Sequence, residues 1–371
     1  MISNPPSINL QICFLLLFAC AIIHSSSSFA AEKKTTIHKL AGTVWLEGVD
    51  GWFCGDKESS VHAAQEAVMQ AVGESTTYAY QLGVSSLAFR LQVSKDGLCP
   101  SSPHSCCGYE CVGNSVAALP WNITSYSVKP EYTSKVAEAR QAVVDSINRG
   151  IPVQYGCEED GLIVGYQKNG EEWICLHYFK DANMKKTFIE TQWPWGIAVY
   201  TGPKDKLVSK HELAISALEQ TLKMADTEES DGYYLGFNAW RKYIEKLKAL
   251  ESADEKIRAD NMHGNAWIYE CLAQYRSAGA IYLREIAGEF NPDTAKHLRK
   301  AADIYDKQAN EVLRDKDHCV ISIAPYPWFL KDGQKWSPKM IKEQVKRLTD
   351  AFILERQAIN QIREARKDWN K

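Results

Sequence analysis

Apolar and polar positions alternate along this chain in two different rhythms. Between residues 150 and 179 three short apolar runs, 151–155, 162–166 and 173–179, are separated by the polar segments Glu158-Glu159-Asp160 and Gln167-Lys168-Asn169-Gly170. Short runs rich in β-branched and aromatic residues predict a meander of antiparallel strands, and Asn169-Gly170 predicts a hairpin turn because both residues tolerate positive φ. Residues 43–46 and 189–202 add further strand. From residue 207 onward apolar residues recur at three-and-four spacing over 211–224, 234–250, 266–287, 293–313 and 338–362, which predicts five packed helices.

Two helices are expected within the strand-rich part. One follows the Gly-rich loop 48–55 and starts near Asp56 or Ser59, with Asp56 and Glu58 favourable at its positive end, a narrow apolar face of Val61, Ala64, Ala67, Val68 and Val72, and a stop at Gly73. The other runs over 134–148 with Ser134 as N-cap, Val136, Val143 and Ile147 on one face, and Gly150 beyond its end. Residues 78–93 mix aromatic and small side chains without a clean period. In the helical part, His263-Gly264-Asn265 opens the helix at 266; it either faces the pocket of the strand-rich part or, in the plainer account, supplies Asn265 as the N-cap. The fold class is therefore α+β: an antiparallel strand meander with helices, over 31–205, followed by an α-helical domain over 206–371.

Composition narrows the setting. The chain has 371 residues, a net charge of -3, 45% hydrophobic and 24% charged residues, which describes an ordinary globular protein with no electrostatic case for nucleic acid. Residues 1–30 carry no charged side chain, contain the apolar run 12–23 and end in Ser28-Phe29-Ala30, so they read as a signal peptide for export to the periplasm or outside. Lipid attachment at Cys20 and a retained anchor are the alternatives; the run is short for a bilayer span, so no stable span is expected after cleavage. Asn122-Ile123-Thr124 is a glycosylation sequon if the source is a eukaryote.

Of the eleven cysteines nine remain once Cys13 and Cys20 leave with the signal, and export favours disulfides among these, with Cys99, Cys106, Cys107 and Cys111 as the natural candidates. Their spacing does not match paired metal-binding motifs, even with His104 nearby, and no metal is expected. No phosphate-cradling loop or dinucleotide fingerprint occurs, so no cofactor is expected either. A redox role for Cys106, Cys107 and Cys111 is a further reading.

Thiol chemistry needs a thiolate, a base and a group that orients the base. Cys54 lies in the Gly-flanked loop before the first helix, where the helix dipole lowers a thiol pKa. Glu159 and His177 stand at strand ends, where adjacent strands bring them near each other. The Gly-rich loop with Cys54, residues 78–92 (YAYQLGVSSLAFRLQ), 98–103 (LCPSSP), 106–111 (CCGYEC) and EEDGLIVGY at 158–166 resemble the butirosin biosynthesis protein H N-terminal domain family, a branch of the papain-like cysteine peptidases and acyltransferases. The resemblance covers about 41–202.

It implies a papain-like domain over 31–205 and a peptide, small amide or acyl substrate. In that branch the catalytic His precedes the V-G-Y strand and an Asn or Asp follows on the next strand; here Glu159 holds the first position and His177 the second. Either base and carboxylate have exchanged strands, making Cys54, His177 and Glu159 a catalytic set for thiol-dependent acyl transfer or amide hydrolysis, or the chain is a non-catalytic relative that binds a peptide or small amide. No Gln precedes Cys54, so Gln192 is the candidate oxyanion donor.

Overall fold

The computed structural model describes residues 35–52, 55–127, 133–178, 188–314, 322–330 and 334–369. The expected signal peptide and Cys54 lie outside the described residues.

Strands β1 (Thr36–Leu40) and β2 (Thr43–Glu47) form a hairpin, followed by helices α1 (Ser60–Ala71) and α2 (Tyr78–Val84), strand β3 (Gln92–Ser94), helix α3 (Gly113–Ala118), strand β4 (Trp121–Ser127) and helix α4 (Thr133–Asn148). The meander is β5 (Val153–Gly156), β6 (Asp160–Gln167) and β7 (Glu172–Leu176), then β8 (Phe188–Glu190) and β9 (Gly196–Pro203). Its β6–β7 turn is the expected one: Asn169 has φ 55° and Gly170 φ 88°.

Every strand pair in this sheet is antiparallel, and β6 is its centre. One edge of β6 pairs with β5 and then β2, the other with β7, and β9 and β4 extend the sheet beyond β5. Helix α4 covers one face through Ala139, Val143 and Ile147, packed on Val153, Tyr155, Ile163 and Cys175. The alternate residues Leu162, Val164, Ile174 and Leu176 face the other way, onto α1 and the helical part. The pleat of β6 and β7 thus separates two cores.

The chain continues with α5 (Lys210–Asp226), the short strands β10 (Glu229–Ser230) and β11 (Tyr233–Leu235), then α6 (Gly236–Glu251), α7 (Glu255–Ile286), α8 (Pro292–Lys307) and α9 (Pro338–Arg366). Strands β10 and β11 join β3 in a second small sheet. The five expected helices are present, and the larger core draws on residues from both sides of position 205. Among the described residues no helix is long and apolar enough to cross a membrane.

Two expectations change. Helix α7 starts eleven residues before 266, capped by Asp254, whose side chain accepts from the Ile257 N–H. Its first turns are polar and exposed, so they carry no apolar period, and Asn265 is not a cap: it is buried inside the helix and bonded to Tyr243 and Gln344. The aperiodic stretch 78–93 becomes α2, a 3-10 turn (Leu87–Phe89) and β3. Residues 81–93 are all buried, and a segment buried all round shows no amphipathic pattern.

Candidate functional site

Helix α1 begins where the loop 55–59 meets the β5–β6 hairpin, and α7 pins that loop from behind. Gln274 of α7 accepts from the Glu58 N–H at 2.7 Å and donates to the Asp56 carbonyl at 3.0 Å. The Ser59 N–H donates to Tyr78 Oη at 2.9 Å, and that hydroxyl donates to Gln274 at 2.7 Å. Tertiary partners therefore take up the two amides that lead into α1, and Ser59 makes no side-chain cap.

Ser60, the first residue of α1, donates through Oγ to Glu159 Oε2 at 2.5 Å and accepts from the Asp160 N–H at 2.9 Å. Glu58 is 2% exposed; Oε1 accepts from the Gly55 N–H at 2.7 Å and Oε2 from the Tyr178 hydroxyl at 2.8 Å. Burial, reinforced by the charge of Glu270, pushes the Glu58 carboxyl up to about 7. Burial likewise pushes Glu159 up to about 8, against the lowering effect of the Ser60 hydrogen bond. Below those values both side chains are neutral acids.

A histidine joins this group, and it is His104. The Cys106 N–H donates to its Nδ1 at 3.3 Å, while Nε2 is buried with no partner. Burial and the nearby Arg90 guanidinium hold its pKa down to about 4. The neutral ring therefore carries its proton on Nε2, since Nδ1 accepts. Glu58, Ser60, His104, Glu159, Trp267 and Tyr275 line a cavity of about 10 Å³, space for roughly one water molecule.

Ser60 gives its hydroxyl proton to Glu159 Oε2. The His104 Nε2–H, buried without a partner on a residue that lines the recess, is a donor for an acceptor such as a carbonyl oxygen.

His177 stands apart from this group. Its ring stacks on Tyr155 of the α4-facing core, with centroids 6.4 Å apart, whereas the next residue, Tyr178, reaches Glu58. Alternation along the chain thus sends His177 to the opposite side of the sheet from Ser60. Gln192 is exposed on the β8–β9 loop and its N–H donates to Glu190, so it does not line the recess.

Cys99, Cys106, Cys107 and Cys111 are all free thiols, and burial raises the pKa of the last three. Side chains, not disulfides, hold their loop. The buried Arg90 donates to the carbonyls of Tyr109 at 2.5 Å, His104 at 2.6 Å and Pro103 at 2.9 Å, and Gln92 donates to those of Ser102 and Cys107. Among the described residues no cluster of three or more His, Cys, Asp or Glu could hold a metal ion.

Glu58 and His104 were each visible in the sequence, one as a helix-terminus charge and one beside a cysteine cluster. Nothing local marked them as neighbours of Glu159, 101 and 55 residues away. No protein-family model matches the chain, and no curated protein matches it.

Proposed function

We propose that this chain is a papain-like relative that binds the carbonyl of a peptide or small amide at the start of α1, without cleaving it. The observation that carries the reading is the Ser60–Glu159 hydrogen bond. Glu159 holds the position before the V-G-Y strand where the resembling enzymes keep a base, and the side chain that meets it at the helix start is a serine. Ser60 is 1% exposed, and its hydroxyl already donates once and accepts once. A buried, engaged hydroxyl beside a neutral carboxyl is a poor nucleophile. The unpartnered His104 Nε2–H of the recess supplies a donor for a carbonyl.

The test is saturation-transfer NMR with N-acetylglycinamide as probe. Wild type gives transfer signals that a Glu159→Ala, His104→Ala double variant loses, and the amide stays intact. No signal in wild type, or cleavage that Ser60→Ala abolishes, overturns the proposal.

A second reading, thiol-dependent acyl transfer or amide hydrolysis through Cys54, is favoured by one observation: the N–H of the adjacent Gly55 bonds Glu58 in the recess. Rapid alkylation of Cys54 by iodoacetamide in the native protein at neutral pH supports it, and an unreactive Cys54 removes it.

A further inference from the structure

A second concavity, sharing no lining residue with the recess, opens where the α1–α2 loop, the end of α3 and the loop before α5 meet α7. Its volume is about 270 Å³, close to the lower end of ordinary small-molecule clefts at roughly 300 Å³. Its walls are tied together. Lys204 donates through Nζ to the carbonyls of Val116 at 2.9 Å and Ala117 at 3.0 Å, and its N–H donates to the Pro120 carbonyl at 2.8 Å, which anchors the loop before α5 on α3. Leu207 and Val208 of that loop line the cleft as adjacent apolar residues, 56% and 47% exposed.

The polar lining is a cation site that already holds a cation. Tyr80 packs on Tyr282, with ring centroids 5.8 Å apart, and Lys210 Nζ stands over the Tyr80 ring, 5.7 Å from its centroid. The same ammonium is 3.7 Å from Glu285 Oε1. Lys210 is the first residue of α5, where the positive end of the helix dipole disfavours a cation, so the ring and the carboxylate hold it there against that field. Glu74 is a second carboxylate of the lining and accepts from the Trp121 indole N–H at 3.3 Å. Among the described residues that line the cleft, Lys210 is the only cation. Burial and the charges of Glu285 and Glu289 push the Tyr80 phenol up to about 12, so the phenol stays neutral beside these acids.

An anion has no place here. The start of α5 is already occupied by a carboxylate: Ser209 and Glu212 form a capping box, with the Glu212 N–H donating to Ser209 Oγ at 3.1 Å and the Ser209 N–H to Glu212 Oε2 at 3.2 Å. We propose that the cleft binds a small organic amine in its ammonium form, with the cation between Tyr80 and Glu285 and the apolar body on Leu207 and Val208. Lys210 is the built-in competitor, and its exposed side chain swings into water when the ligand enters. The proposal is independent of the carbonyl-binding reading.

The experiment titrates phenethylamine, and phenylpropionate as an anion with the same ring, into the full chain at neutral pH, followed by broadening of the ligand NMR lines. Wild type, Lys210→Met and Glu285→Gln are compared. Both positions lie on exposed helix surface, and circular dichroism verifies that the variants fold. The expected result is that wild type binds the amine and not the carboxylate. Lys210→Met binds the amine about two- to fivefold tighter, because the competitor is gone, and Glu285→Gln binds it about two- to fivefold weaker. Carboxylate binding to wild type that Lys210→Met abolishes makes Lys210 the recruiter of an anion and overturns the proposal. No amine binding to Lys210→Met, or an amine affinity that neither substitution changes, overturns it as well.

Discussion

Replacing Glu159 by Gln probes the buried acid directly, because the amide keeps an oxygen for Ser60 Oγ but cannot ionise. In the fold Glu159 titrates near 8 against an ordinary value of 4.5. A carboxyl raised in this way favours the folded state fully below the unfolded value, and that contribution is lost as pH rises through the folded one. The loss accrues at about 1.4 kcal/mol per pH unit midway between the two values and more slowly near each of them, so from pH 5 to pH 8 it amounts to roughly 3 kcal/mol. Wild type is thus expected to lose stability over this range, and Glu159→Gln to lose about 3 kcal/mol less. Glu58, raised to about 7, leaves the variant a smaller residual slope. Urea denaturation at pH 5, 6, 7 and 8 measures both profiles. Parallel profiles would refute the reasoning, since they mean that Glu159 is already ionised in the fold at pH 5.

Other perturbations test the framework around the site. Ser60→Ala leaves the Asp160 N–H and Glu159 Oε2 without their partner and should cost about 1–3 kcal/mol in denaturant titrations. Gly264→Ala places a Cβ 1.7 Å from the Leu98 carbonyl oxygen, a backbone atom that cannot swing aside, so α7 must move off the loop and Tm should fall by several degrees. Arg276 and Glu355 form a fully buried pair, with Nε 2.8 Å from Oε2 and Nη2 3.0 Å from Oε1. Arg276→Met leaves the carboxylate buried and unpaired, with an expected loss of about 3–5 kcal/mol by calorimetry. Arg90→Lys cannot span the carbonyls of Tyr109, His104 and Pro103, so Cys107 and Cys111 should react faster with a thiol reagent than in wild type.

Local pattern alone was enough for much of the architecture. The alternation over 150–179, the Asn169-Gly170 turn and the three-and-four spacing after residue 207 act within one or two turns or strands, so the strands and five helices were legible from neighbouring residues. Where burial surrounds a segment, as at 81–93, or where a helix begins with largely exposed, mostly polar turns, as at 255–261, no periodic contrast exists and the expectation went astray. The recess is of another kind. Glu58 meets Tyr178 across 120 positions, Ser60 meets Glu159 across 99, and Gln274 reaches back 216 to the start of α1. Glu159 was singled out from its place before a strand, but that Tyr178 reaches Glu58 while His177 stacks on Tyr155 follows from strand pleat, which depends on register. The sequence determined which residue types stand at the strand ends and helix start. Only the tertiary structure decided which of them share one desolvated space, because burial and its effect on a carboxyl arise from chain segments that no local pattern connects.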